Sequence, residues 1–368
     1  MAMAREMVHH RKPPFKALLG EVQEGLQELF GTTNEVITLA ASGTGAMQAA
    51  VTNLFQPGET VLVVEGGKFG ERWNGVCAAA GVKTIVFPVA WGGAADPEAV
   101  REVIDKNPEI RGVLLQISET STGAMHPVRE LAAVTRERDV MLVADGVSSI
   151  SISPCPMDAW GIDCLLTGSQ KGLMLPPGLS FIALSDRAWK LAESRQTRDY
   201  YFDLPQERRL CAKGQTAYTP AISLLYGLRE SLALFREAGL ESIYRKQWAL
   251  TCLARTGIAA LGFELLAKEH FTWGLTSLLL PAGIGSGPLL AHAAEHYGVI
   301  MASGMGYQTE NVIRVGHMGW VDWADVTAGL HALAGSFTAL GGHIGAENYL
   351  ESALKAYENA LAGPLPGV

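Results

Sequence analysis

Seven short runs rich in β-branched and apolar residues recur between about residues 35 and 185. They are EVITLA (35–40), TVLVVE (60–65), KTIVFPV (83–89), RGVLLQI (111–117), VMLVAD (140–145), DCLLTG (163–168) and LSFIAL (179–184). Helical patterns separate several of them, over 44–55, 71–80, 97–106 and 128–138. Strand–helix–strand alternation predicts an α/β fold with a mainly parallel sheet and helices on both faces. The runs are apolar throughout, as strands covered on both sides should be.

The texture changes after residue 185. Residues 219–262 read as two long helices broken near Gly239, the first opened by Thr219 as N-cap with Pro220 behind it. A smaller α/β unit follows from about 263 and ends in one last long helix. The chain has 368 residues, which suits two domains. Hydrophobic residues make up 48%, enough for a large core and a subunit interface. A formal net charge of −8 argues against nucleic acid or an anionic membrane as a partner held by bulk charge. Five scattered cysteines, odd in number and without a C-x-x-C pair, suit a reducing cytoplasm. The start, MAMAREMVHHRKPPF, lacks the apolar stretch of a secretory signal, and no apolar run approaches a membrane span.

Four constellations carry chemistry. In AASGTGAMQAA (40–50) a strand runs through a Ser-Gly-Thr-Gly turn into a helix. The free N–H groups and positive dipole end of that helix suit a phosphate, and a turn capped by Ser42 or Thr44 is the plainer alternative. In VMLVADGVSSI, Asp145 ends an apolar strand, where ligand-binding residues of open α/β sheets gather; an ordinary N-cap would use the same residue type. In LLTGSQKGLMLPPGLSFIAL (165–184), Lys171 stands between apolar runs with no acid beside it. Desolvation there lowers the pKa of an amine towards the range where it is a nucleophile. A phosphate-holding helix end, a buried acid and a desolvated lysine together suit pyridoxal 5′-phosphate, and no other common cofactor uses all three. Arg314, in the apolar run NVIRVGHMG (311–319), fits either a substrate carboxylate or an internal salt bridge. His292 and His296 are spaced i, i+4 but lack a third metal ligand, so they read as a helix-surface pair.

These motifs resemble class V aminotransferases of the alanine–glyoxylate / serine–pyruvate type, in the fold type I group of pyridoxal-phosphate enzymes. The resemblance spans nearly the whole chain and rests on ELFGTTNEVITLAASGTGAM, PGETVLVVEGGKFGERW, SETSTGAMHPV, VADGVSSI, WGIDCLLTGSQKGLMLPPGLSFIALS, YTPAISLLYGLRESLAL and VIRVGHMG. It implies a large cofactor-binding domain with a seven-stranded, mainly parallel sheet (16–255) and a small C-terminal α/β domain (256–368), with residues 1–15 packing near the substrate site or the small domain.

It also implies roles. Lys171 would hold the cofactor covalently and Asp145 would pair with its pyridine nitrogen. Ser42, Gly43, Thr44 and Gly45 match the phosphate turn, with Gln170 nearby. Phe69 matches a stacking ring that is tryptophan in relatives and offers less area here. Thr120 matches a hydroxyl near the ring oxygen, Val147 the residue packing under the ring, and Arg314 the binder of the α-carboxylate. A second chain of a homodimer would reach the phosphate from the segment before the long helix, where Gln215, Thr216, Tyr218 and Thr219 are the candidates, Thr216 and Thr219 foremost. The implied reaction is a ping-pong transfer of an amino group from alanine or serine to glyoxylate or pyruvate. The rivals are a soluble-hydrogenase small-subunit-like binding protein, an aminophosphonate transaminase and a cysteine desulfurase. Against the last, Cys252 falls in a predicted helix and no loop cysteine stands late in the chain. Relatives open with a Gly-Pro-rich stretch such as GPTPVP that is not matched before MAMAREM, so a more open pocket is expected.

Overall fold

In the computed structural model, which describes residues 1–195 and 199–367, all seven apolar runs are strands of one sheet. They are β1 (Val36–Leu39), β2 (Thr60–Glu65), β3 (Lys83–Pro88), β4 (Ile110–Gln116), β5 (Met141–Asp145), β6 (Cys164–Gly168) and β7 (Ser180–Leu184). The spatial order is β1-β7-β6-β5-β4-β2-β3. Only β7 runs against its neighbours; β6-β5-β4-β2-β3 pair in parallel. Because β7 opposes both β1 and β6, β1 points the same way as the parallel set. The C-terminal ends of β1, β2, β4, β5 and β6 therefore meet along one edge, where ligands of open α/β sheets sit.

Successive strand residues enter two different cores. Leu62, Val64, Leu142, Ala144, Leu165 and Phe181 face one, and Val61, Val63, Val143, Leu166 and Ile182 face the other. Each fully buried Val, Leu, Ile or Phe side chain contributes roughly 1.5–3 kcal/mol. The first core is closed by helix α1 (Pro13–Phe30), which the sequence reading passed over. Its buried Phe15, Leu18, Leu19, Val22, Leu26 and Leu29 keep the three-to-four-residue spacing of a helix stripe. Gly31, at φ 60°, ends it. The second core is closed by α2 (Gly43–Leu54) through Ala46, Met47, Ala50 and Leu54. Helix α3 (Lys68–Ala79) starts directly after β2.

Two long helices follow, α4 (Ile222–Ala238) and α5 (Leu240–Ala260), broken at Gly239 with φ 77° as expected. The Thr219 cap is not found: α4 begins at Ile222 with Ala221 as N-cap. Pro220 leaves its own stretch extended and pushes the start downstream. Near the N-terminus, Met3 packs where α4 has its Gly227. A second sheet has the order β8-β9-β11-β10, from Glu264–Leu265, Leu275–Leu279, Ala302–Ser303 (β10) and Val312–Gly316 (β11). Its core includes Leu250, Leu253 and Ile258 of α5 together with Leu278, Ile313 and Leu333. The single last helix proves to be two, α6 (Trp323–Ala339) and α7 (Tyr349–Ala362), separated at Gly341 and Gly342. Gly341 has φ 87°, which favours glycine and breaks the helical path.

Candidate active site

Five strand ends bring the predicted residues into one cavity of about 270 Å³. Ser42, Gly43, Thr44, Phe69, Thr120, Asp145, Val147, Gln170 and Lys171 all line it. Gly45, one turn position further, meets Ala41 instead: a Cβ there would lie 2.6 Å from that side chain.

The turn after β1 makes the cradle. Ser42 holds extended backbone, φ −82° and ψ 170°, and its carbonyl accepts from Gly45 N–H at 2.8 Å and Ala46 N–H at 3.3 Å. Its hydroxyl does not cap α2. Thr44 is no cap either, since its Oγ1 accepts from Arg72 at 3.2 Å. The amides of Gly43 and Thr44, ahead of those of Gly45 and Ala46, have no acceptor among the described residues and stay open to an anion. Val147 closes tightly on this turn: a Cβ on Gly43 would lie 2.7 Å from its Cγ2. Across the turn, a Cβ on Gly168 would be 3.0 Å from Gln170 Oε1 and 3.6 Å from the Gly43 nitrogen, so the lysine loop touches the helix start.

Asp145 and Lys171, 26 positions apart in sequence, share this cavity. Asp145 Oδ1 accepts from Val147 N–H at 2.8 Å. Among the described residues no cation pairs with it. Burial, aided by the Glu119 charge, pushes its carboxyl up to about 6 against the Val147 hydrogen bond and Arg72. Lys171 is half-buried, and no acid among the described residues forms an ion pair with it. Burial first, then the Arg314 charge, holds its amine below the ordinary lysine value. A buried carboxylate without a cation and an amine without an anion are each unfavourable alone. Together with the uncapped helix start and the partnerless buried Gln170 Oε1, they fit a ligand carrying a phosphate, a basic ring nitrogen and an aldehyde.

Arg314 projects from β11 and does not itself line the cavity. Its Nε donates to Ser303 O at 2.7 Å and its NH1 to Thr120 O at 3.0 Å. Backbone carbonyls thus aim the guanidinium, and no carboxylate among the described residues pairs with it. The salt-bridge reading of Arg314 fails on that count. Thr216 and Thr219 are not brought to the Lys171 cavity within one chain. They line a separate pocket with Tyr201, Glu207, Tyr218 and Pro220. The His292 ring lies tilted against that of His296, centres 4.2 Å apart, and its Nδ1 meets Ser336 Oγ at 3.0 Å; among the described residues no metal-binding cluster exists.

Glu119 and Arg72 escaped the sequence reading. Glu119 is fully buried and accepts from Phe69 N–H at 3.1 Å, Gly70 N–H at 2.9 Å and Ser121 N–H at 3.1 Å. Its carboxylate therefore caps α3 and fixes the backbone beneath Phe69. Its signal in the sequence was an acid set among small hydroxylic residues in SETSTG.

The class V aminotransferase family model matches residues 1–313. The serine–glyoxylate aminotransferase of Methylorubrum extorquens is 35% identical over 86% of this chain and 82% of its own. A soluble-hydrogenase subunit of Anabaena cylindrica is 32% identical over 90% of this chain and 88% of its own. The ureidoglycine–glyoxylate aminotransferase structure from Bacillus subtilis superposes with a TM-score of 0.90, at 28% identity over 97% of this chain and 94% of its own.

Proposed function

The chain belongs to the class V aminotransferases and is a pyridoxal 5′-phosphate-dependent transaminase; from that premise we propose how its residues divide the reaction and which substrates they take. It moves an amino group from a small amino acid, alanine or serine, to a small 2-oxo acid, glyoxylate or pyruvate, in two half-reactions at one site. The observation that carries this reading is a Lys171 amine and an Asp145 carboxylate, neither ion-paired among the described residues, in one cavity beside an uncapped helix start. When bound, the cofactor supplies an electron sink for negative charge at the substrate α-carbon.

The chain's own residues do the rest. Ser42, Gly43, Thr44 and Gln170 hold the phosphate, and Gly45 lets the turn close against Ala41. Phe69 and Val147 pack on the ring and exclude water from it, and the Thr120 hydroxyl binds its oxygen. The Asp145 carboxylate keeps the ring nitrogen protonated. Lys171 Nζ anchors the cofactor, then carries the proton away from the donor's Cα and back. Burial favours the neutral amine that both tasks require. Arg314 binds the α-carboxylate of donor and acceptor alike, so small side chains need no second basic pocket. We further propose a cytoplasmic homodimer. Its five cysteines are unpaired, and Thr216 and Thr219, idle toward their own chain's cavity, complete the phosphate site of the other chain.

A donor–acceptor panel on purified protein tests the assignment. Alanine or serine with glyoxylate or pyruvate should turn over, and the yellow protein should bleach with donor alone. A colourless protein that transfers no amino group from any small donor would overturn the reading. In the same panel Arg314→Lys should raise KM for every donor about 10- to 100-fold, because lysine keeps the charge but loses the fork that pairs with a carboxylate. Gly43→Ala should weaken cofactor binding to the apoprotein by about ten-fold or more. Its methyl group overlaps Val147, and overpacking costs roughly 1–3 kcal/mol. Adding Val147→Ala should restore much of the affinity.

A further inference from the structure

A bound phosphate dianion needs positive charge, and the Ser42–Gly45 turn contains neither lysine nor arginine. Among the described residues that line the cavity, only Lys171 and Arg72 are cationic, and Lys171 is committed to the covalent link. Arg72 lies on the first turns of α3 and makes two contacts that converge on the site. Its NH1 donates to Thr44 Oγ1 at 3.2 Å, and its guanidinium lies 4.9 Å from the centre of the Phe69 ring. Among the described residues no carboxylate forms an ion pair with it, whereas the adjacent Glu71 is taken by Lys68.

We infer that Arg72 is the positioning residue and charge source of the phosphate subsite: it engages the Thr44 oxygen so that the hydroxyl hydrogen is left for a phosphate oxygen. The chemistry is directional. A hydroxyl whose oxygen accepts from a guanidinium turns its O–H elsewhere, and no acceptor for it lies among the described residues. The same guanidinium, held over Phe69 by cation–π attraction, ties the phosphate end of the site to the ring that packs on the cofactor. This inference rests on the cofactor reading above.

The test titrates apoprotein with pyridoxal 5′-phosphate and, separately, with pyridoxal, which lacks the phosphate, following tryptophan fluorescence and the visible band. The parent should prefer the phosphorylated form strongly. Arg72→Gln should weaken pyridoxal 5′-phosphate by about ten-fold or more, as removal of a charge-assisted contact does, and leave pyridoxal within about two-fold. The preference therefore narrows, and that ratio is something a merely structural role would not move. Equal weakening of both ligands would make Arg72 a support for the ring platform alone and overturn the inference. Unchanged binding with a KM rise confined to dicarboxylic donors would overturn it too, moving the guanidinium to the substrate. A parent that shows no preference for the phosphate would bring down the cofactor placement itself, which separates that failure from this one.

Discussion

Lys171→Ala should abolish the visible absorption of the lysine-linked cofactor and lower the transamination rate by about 10⁴-fold or more. Two tasks disappear with one amine: the covalent anchor and the proton carrier at Cα. The loss should be chemical rather than structural. Lys171 has no ion pair or hydrogen-bond partner through its amine among the described residues, and it is half-buried in a loop whose backbone is held elsewhere. Its carbonyl accepts from Met174 N–H at 3.0 Å, a contact that alanine keeps. Apoprotein stability should therefore stay within about 1 kcal/mol of the parent. Absorbance spectra and apoprotein thermal melts check the two halves separately. A variant that keeps the visible band would remove Lys171 from its role, and with it the proposed mechanism.

Asp145→Asn should stabilise the apoprotein above pH 6 while lowering activity by about 10²–10³-fold or more. The folded carboxyl titrates near 6 against an ordinary value of 3.8, because burial opposes its charge. Between those two values the folded chain keeps a proton that the unfolded chain has released. Stability thus falls as pH rises through that window, and above it the full penalty stands, about 3 kcal/mol. Asparagine never ionises and still accepts from Val147 N–H, so the penalty vanishes. The melting curves of parent and variant should diverge at pH 8 and converge below about pH 4. Coincident curves at pH 8 would mean that the carboxylate is not held unpaired. Function runs the other way. An amide cannot neutralise a protonated ring nitrogen, so the same change forfeits the stabilisation of charge at the substrate α-carbon. In the parent, cofactor affinity should rise with pH through about 6 as Asp145 ionises. The buried acid is thus a destabilising feature of the apoprotein that only its ligand relieves.

Much of this site was legible because its signals are local. The seven strands, the Ser42 turn into α2, the break at Gly239 and the isolation of Lys171 are read from neighbours within a few positions. Period and turn chemistry act over that range. Helix α1 was equally legible, and its missed stripe from Phe15 to Leu29 carries the same periodicity. Other features depend on partners far along the chain. Glu119 reaches Phe69 across 50 positions, and Arg72 reaches Thr44 across 28. The guanidinium of Arg314 is aimed by a carbonyl 194 positions away. Cap positions also shifted, as at Thr219, where proline geometry overrode the motif.

The amino-acid sequence by itself determined which segments become strands and helices and which side chains are chemically out of place. Only the tertiary structure decided that β7 runs antiparallel between β1 and β6, that Asp145 and Lys171 face one cavity, and that Thr216 and Thr219 do not. The reason is one of range. Backbone periodicity is encoded residue by residue, whereas the meeting of charged groups depends on which apolar faces bury against each other, a property of the whole packed chain.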